Sequence, residues 1–334
     1  MVERNNVVDV HNLNVYITHW VKPNKKTLGR MLFAEFSEIA EHCVERFQGV
    51  GVPRQSHPIQ HVLWNISTLG IPRTVVNIFC NTEPQLDLLL FSERARFYGT
   101  ELIFNLVVSK PPDLSDPFSL TTLYKSKFSE DSANASSNDL FLYLEHDQIF
   151  DRVNLNYFLK FAPKLSKIGL RPGFLRVEWH ALQKSWVSTD QSRTTSISSV
   201  PNIELDGYTF VDLASPYSGM FLVDLEHAKM IHQAHENATL RNINTLMNRS
   251  EVQDYVSSLG TAEKSAIGSR LLHHYLNDSP IANWFSSHPV GFASNSLRPH
   301  PGACIWHASN NYAKRRVFRK DKYGSLLLNE ICYE

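Results

Sequence analysis

The stretch Asp139-Leu-Phe-Leu-Tyr-Leu-Glu-His-Asp147 constrains this chain more than any other. Leu140 to Leu144 are all apolar or aromatic and read as a buried strand. The run stops at two carboxylates spaced i, i+2, Glu145 and Asp147. A hydrophobic strand that ends in carboxylates carries negative charge to the edge of an α/β sheet, and in such sheets ligands bind in the crevice outside the strand ends. Hard oxygen ligands at that place suit Mg²⁺ or Mn²⁺ and a phosphate-bearing substrate. A strand followed by an acidic turn is also a common structural pattern, so the rest of the chain has to decide between the two.

The 334 residues suffice for one large domain or two small ones. Hydrophobic residues make up 43% and charged residues 20%, which supports a globular core and excludes wholesale disorder. With 33 basic and 33 acidic side chains the formal charge is zero, which argues against a nucleic-acid partner, since such proteins carry a basic excess. The cysteines Cys43, Cys80, Cys304 and Cys332 form no CxxC pair and predict neither a zinc site nor a disulfide scaffold. The N-terminus shows no signal-peptide pattern, and no run of about 18–20 apolar residues spans a bilayer. The expectation is a cytoplasmic protein. The basic cluster from Lys314 to Lys322 reads as a solvated face or as a peripheral contact with acidic lipid or an anionic glycan.

Val15–Thr18, Thr74–Cys80, Leu102–Val108 and Leu140–Leu144 read as strands. Between them, Leu32, Phe36, Ile39, Cys43 and Phe47 recur at helical spacing, and Val62–Leu69 reads as a further helical turn or two. This alternation predicts a mainly parallel central sheet flanked by helices. Residues 129–138 and 188–199 read as polar loops by composition, the second as a mobile lid, a binding loop or a disordered insertion. Farther on, Tyr208–Asp212 and Met220–Val223 read as strands, with Asp224 capping a helix and a second helix opening at Thr261.

In order along the chain, these segments resemble the GT-A class of nucleotide-sugar-dependent glycosyltransferases. The resemblance rests on the strand–helix unit from Val15 to Phe47, the strand closing on Asn81-Thr82, the segment Asp116–Lys125 ahead of the acidic motif, and Leu142-Tyr-Leu-Glu-His-Asp147 as a DxD-like motif. It continues through Pro172–Glu178, Tyr217-Ser-Gly-Met220, the helix start at Glu263, and Trp306-His-Ala-Ser-Asn-Asn-Tyr312. The motif departs from the family pattern, because Glu145 stands where an aspartate is usual. The resemblance implies a Rossmann-related, GT-A-like fold in a single large domain, with a nucleotide-sugar half over about 10–150 and an acceptor half over about 151–334. It implies an inverting, metal-dependent transferase that moves a sugar from a nucleotide-diphosphate sugar to a glycan or lipid-linked hydroxyl, as in polysaccharide biosynthesis.

On that resemblance Asp147 and His307 are the metal ligands, and a mixed carboxylate–imidazole set favours Mn²⁺, with Mg²⁺ the other cofactor expected. Thr18, Asn81, Lys125, Glu145 and His146 are the expected donor-binding residues, and Glu178, Tyr217, Ser218 and Gly219 the expected acceptor-binding ones. Glu263 is the expected catalytic base. Plainer readings stand beside these. His307 reads equally as a hydrogen-bonded core histidine, Glu263 as a first-turn acid facing the helix dipole, Glu178 as a partner of Arg176, and Lys125 as a solvated lysine. The competing functions are a metal-dependent phosphohydrolase or nucleotidyltransferase using the same carboxylates, and a carbohydrate-binding protein without turnover.

Overall fold

The computed structural model describes residues 10–19, 58–84, 86–109, 120–168, 170–180, 185–188, 202–211, 220–229, 289–295, 298–307 and 326–328. In chain order they form β1 (Asn12–His19), α1 (Pro58–Ile66), β2 (Arg73–Cys80), α2 (Leu88–Phe97), β3 (Glu101–Val108), α3 (Leu120–Asn134), β4 (Asp139–Glu145), β5 (Gln148–Ile149) and α4 (Arg152–Leu165). The remaining strands are β6 (Leu175–His180), β7 (Ser185–Ser188), β8 (Asn202–Leu205), β9 (Tyr208–Val211), β10 (Met220–Asp224), β11 (Val290–Ala293), β12 (Cys304–His307) and β13 (Leu326–Leu328).

The central sheet has the order β3-β2-β1-β4-β10. Its first four members are mutually parallel, and only β10 runs antiparallel, against β4. The protein is thus a mixed α/β fold around a mainly parallel sheet. Period-2 alternation explains why these strands are apolar almost throughout. Leu13, Val15 and Ile17 of β1 and Leu140, Leu142 and Leu144 of β4 point into one core with Ile59, Val62, Leu63 and Ile66 of α1. Tyr16, Phe79, Phe141 and Tyr143 point the other way, into a second core closed by Tyr124 and Phe128 of α3.

The expectation of a polar loop over 129–138 is corrected here, since residues through Asn134 are the end of α3. Composition hid a helix whose buried side is carried by only a few positions. Tyr124 and Phe128, one turn apart, face the sheet. Outside, Lys127 Nζ meets Asp131 Oδ1 at 2.9 Å and Glu130 Oε2 at 3.2 Å, and the Tyr16 hydroxyl donates to Asp131 Oδ2 at 2.7 Å. Ser188, expected at the start of the second loop, belongs to β7. The helix predicted over Leu32–Phe47 and the one opening at Thr261 lie outside the described residues.

A second sheet, ordered β13-β7-β6-β12-β5, and a third, ordered β11-β9-β8, complete the described strands. Helix α4 locks β12 in place. Asp151 caps its first turn in a reciprocal capping box with Asn154. The same Asn154 amide then donates to the carbonyls of Gly302 and Cys304, both at 2.8 Å. This close approach demands glycine at 302, where a side-chain Cβ would strike Tyr157 Cβ and stand 2.6 Å from the Val153 carbonyl. Gly302→Ala should therefore destabilise the protein by about 1–3 kcal/mol, the usual range for overpacking. Urea denaturation checks this, and an unchanged midpoint would contradict the packing described.

Candidate functional site

From β1 the chain builds the sheet in one direction through β2 and β3, then returns to the other side of β1 as β4. The boundary between β1 and β4 is therefore the topological switch point, and the crevice beyond their C-terminal ends is where open α/β sheets bind ligands. Thr18, His19, Glu145, His146 and Asp147 all lie at that end. Thr18 and Glu145 are paired in register, and the His146 N–H donates to the Thr18 carbonyl at 3.1 Å. The apolar run of β4 thus ends where the notional ligand crevice begins.

The turn at His146–Asp147 carries the chain out of the central sheet and into β5 of the second sheet. There β12 lies between β5 and β6. Its antiparallel pairing with β5 sets His307 opposite Gln148. Its parallel pairing with β6 runs Trp306 beside Val177, so the next step sets His307 beside Glu178. Sheet register thereby brings three residues distant in sequence to one place. His307 Nε2 lies 3.0 Å from Asp147 Oδ2, and His307 Nδ1 lies 2.5 Å from Glu178 Oε1. Glu178 is 0% exposed and His307 4% exposed, so the chain of contacts sits almost entirely inside the protein.

Burial by itself would depress the His307 pKa, because it disfavours the charged ring. The Asp147 carboxylate and the hydrogen bonds to Asp147 and Glu178 outweigh burial, against a smaller opposing effect of Arg176, and push the value up from 6.5 to about 10. In the metal-free protein His307 is an imidazolium donating one N–H to each carboxylate. Among the described residues no group of three or more His, Cys, Asp or Glu side chains is arranged to hold an ion. The geometry explains this, since the two carboxylates stand on opposite nitrogens of one ring.

Asp147 offers a carboxylate oxygen and His307, once its Nε2 proton is lost, an imidazole nitrogen, a donor pair whose chemistry would suit Mn²⁺ or Mg²⁺ with phosphate and water as the other ligands. With its Nδ1–H held by Glu178, the ring presents Nε2 to the site, the arrangement in which a second carboxylate orients and strengthens a histidine ligand. Glu178, expected at the acceptor, is fully buried here and bonded to His307.

The other expected site residues are dispersed more widely. Thr18 is buried, its hydroxyl 3.1 Å from that of Tyr143. Asn81 is buried just past the end of β2. Glu145 and His146 are half-buried at the switch point, where the His146 ring meets that of His19 edge to face at 4.9 Å between centroids. Lys125 is half-buried on α3, and burial lowers its pKa below the usual lysine value. Tyr217, Ser218, Gly219 and Glu263 lie outside the described residues. Two residues at the site had escaped notice in the sequence, His19 and Gln148. His19 could have been found as the last residue of a strand whose partner ends in the acidic motif. Gln148 had as its only signal a polar residue set between an acidic turn and the apolar Ile149-Phe150.

No protein-family model matches the sequence, and no curated protein matches it. Among solved structures the chain is similar to one described as a glucose-1-phosphate thymidylyltransferase from Bacillus anthracis, at 11% identity over 81% of this chain and 99% of the other, with a TM-score of 0.29. It is similar to an inositol-1-phosphate CTP transferase from T. maritima at 10% identity, over 66% and 74% of the two chains, with a TM-score of 0.26. A nucleoside-diphosphate-sugar pyrophosphorylase from Vibrio cholerae RC9 is similar at 9% identity, over 69% and 80%, with a TM-score of 0.29. Superpositions this loose carry no argument about activity.

The raised His307 pKa makes a prediction for the metal-free protein. A group that binds its proton more tightly when folded contributes stability that is complete below its unfolded pKa and lost as pH rises through its folded one. The contribution of His307 should be full below about pH 6.5 and drain away as pH approaches about 10. Chemical denaturation across that window, in wild type and His307→Gln, checks the sign. The wild-type advantage should shrink with rising pH, and an advantage that grows would contradict the buried imidazolium.

Proposed function

We propose that the chain binds a nucleotide-diphosphate sugar at the β1/β4 switch point and transfers the sugar to a hydroxyl of a glycan or lipid-linked acceptor. The observation that carries this reading is the Glu178–His307–Asp147 chain of contacts at the end of β4. It combines one carboxylate, one imidazole and a buried orienting partner. Mn²⁺ or Mg²⁺ held there would neutralise charge on the departing diphosphate.

Each residue then has a part. Asp147 and His307 would hold the cation, with Glu178 fixing the ring of His307. Glu145, half-buried at the end of β4, takes a ribose or sugar hydroxyl, with Thr18, Asn81 and His146 around the donor and Lys125 toward its diphosphate. Tyr217, Ser218 and Gly219 are assigned to the acceptor, and Glu263 to the base, on the strength of the resemblance alone. Glu263 removes the proton of the acceptor hydroxyl as its oxygen attacks C1, the bond from C1 to the diphosphate oxygen breaks, and configuration inverts. General-base help of this kind contributes about 10²–10⁴-fold. Peripheral membrane contact through the basic stretch from Lys314 to Lys322 would suit a lipid-linked acceptor. Among the described residues no helix is long and apolar enough to cross a membrane.

Nucleotidyl transfer is the second reading. It would use the same carboxylate and imidazole, Asp147 and His307, at the end of β4. The same switch point would then join a nucleoside triphosphate to a sugar phosphate, with pyrophosphate leaving, and the same metal pair would serve.

One assay separates the readings. The protein is incubated with Mn²⁺ and a panel of nucleotide sugars, and free nucleoside diphosphate is measured. In parallel it is given nucleoside triphosphates with sugar 1-phosphates, and pyrophosphate is measured. Diphosphate release, abolished in a folded Asp147→Asn variant, is the expected result. Pyrophosphate release alone would establish the second reading, and neither product would remove both. Glu263→Gln should lower transfer by about two orders of magnitude or more at nearly unchanged donor affinity, because the lost interaction belongs to the transition state.

A further inference from the structure

Gln148 is completely buried, and neither its amide oxygen nor its amide nitrogen finds a hydrogen-bond partner among the described residues. A buried carboxamide left unpaired on both sides is unfavourable, and an apolar side chain of the same length would sit there without that penalty. The place is specific. Gln148 follows Asp147 directly and lies opposite His307 in the β5–β12 ladder. Directly opposed residues of an antiparallel pair project from the same face of the sheet. The unpaired amide therefore shares its face with the ring that meets Asp147 and Glu178.

What could satisfy it follows from its two ends. The oxygen needs a donor and the NH₂ needs an acceptor. A phosphate only accepts and would leave the oxygen unpaired. An ammonium only donates and would leave the nitrogen unpaired. Hydroxyl groups do both, and adjacent hydroxyls on a sugar ring can donate to Oε1 and accept from the NH₂ together. We propose that Gln148 is a sugar-recognition residue, its amide pairing with hydroxyls of the transferred sugar beside the Asp147–His307 pair. The assignment rests on the nucleotide-sugar reading given above. It deepens that reading, because the group recognised is the sugar and not the diphosphate. A bound water has the same hydrogen-bonding chemistry and is the other source the experiment must separate.

The test uses the full chain and Gln148→Met, which keeps the length of the side chain and removes the amide. Both proteins are melted without ligand. Both are then titrated calorimetrically with MnCl₂ alone. In Mn²⁺ they are further titrated with UDP-glucose, UDP-N-acetylglucosamine, dTDP-glucose and GDP-mannose, and with the parent nucleoside diphosphates. The ligand-free variant should melt no lower than wild type, since it loses an unpaired amide. The nucleotide sugar that wild type binds should bind the variant about tenfold more weakly, the scale of one or two lost hydrogen bonds. Its nucleoside diphosphate and Mn²⁺ alone should bind both proteins alike.

An equal loss for Mn²⁺ alone would place a water on Gln148 and overturn the sugar assignment. Unchanged sugar affinity would overturn it too. A lower ligand-free melting point, or a variant that does not fold, would show that the amide is already paired in the free protein and would overturn it as well. Failure of the parent reading looks different, since wild type itself would then bind none of the nucleotide sugars, and the assignment would fall with it.

Discussion

The arrangement around His307 is the constraint on which the rest of this structure depends. A charged ring inside a protein is tolerated only when its charge is matched and its hydrogen bonds are made. Here Asp147 and Glu178 face the two ring nitrogens at 3.0 and 2.5 Å, and the ring is held protonated in consequence. Removing one partner of such a buried set costs about 3–5 kcal/mol, because the other charge is left uncompensated. A fold that carries this liability has to hold three strands in fixed register. β12 must lie between β5 and β6, and β6 cannot slip by a residue without turning Glu178 away from His307.

The supporting structure reads as a set of answers to that requirement. The apolar strand β4 anchors Asp147 from the central sheet, with Leu140, Leu142 and Leu144 in the larger core. Asn154 fixes the entry to β12 through the carbonyls of Gly302 and Cys304. Glycine at 302 allows α4 to approach closely enough for that bond. The candidate site therefore lies where the chain passes from one sheet to the next. One supplies the switch point and the other supplies the histidine, and the two-residue turn at His146–Asp147 joins them.

Much of this was legible in the sequence where the signal was local. The runs at Thr74–Cys80 and Leu140–Leu144 announced two parallel strands within a residue or so at each end, because buried parallel strands are apolar on both faces, and Leu102–Val108 announced a third, the edge strand, by its β-branched and apolar run although its second half is exposed. Asp147 was legible for a related reason, as an acid at the end of such a run. The contact between Glu178 and His307 was not, because the two lie 129 positions apart and only sheet register joins them. Gln148 was missed because its significance is an absence of partners, which no sequence displays. The last turns of α3 were mistaken for loop because their polar surface outweighs Tyr124 and Phe128 in composition. The resemblance pointed to His307 through its surrounding segment, and the structure sets that ring against Asp147.

The most direct test of the account is a crystal structure of the protein with Mn²⁺ and a nucleoside diphosphate, with the ion located by anomalous scattering. The account predicts one ion bound by Asp147 and by Nε2 of His307, with Nδ1–H still donated to Glu178 and diphosphate oxygens on the open side of the ion. An ion held elsewhere, or a diphosphate bound while the His307–Asp147 contact stays closed at its present distance with no metal between, would contradict it.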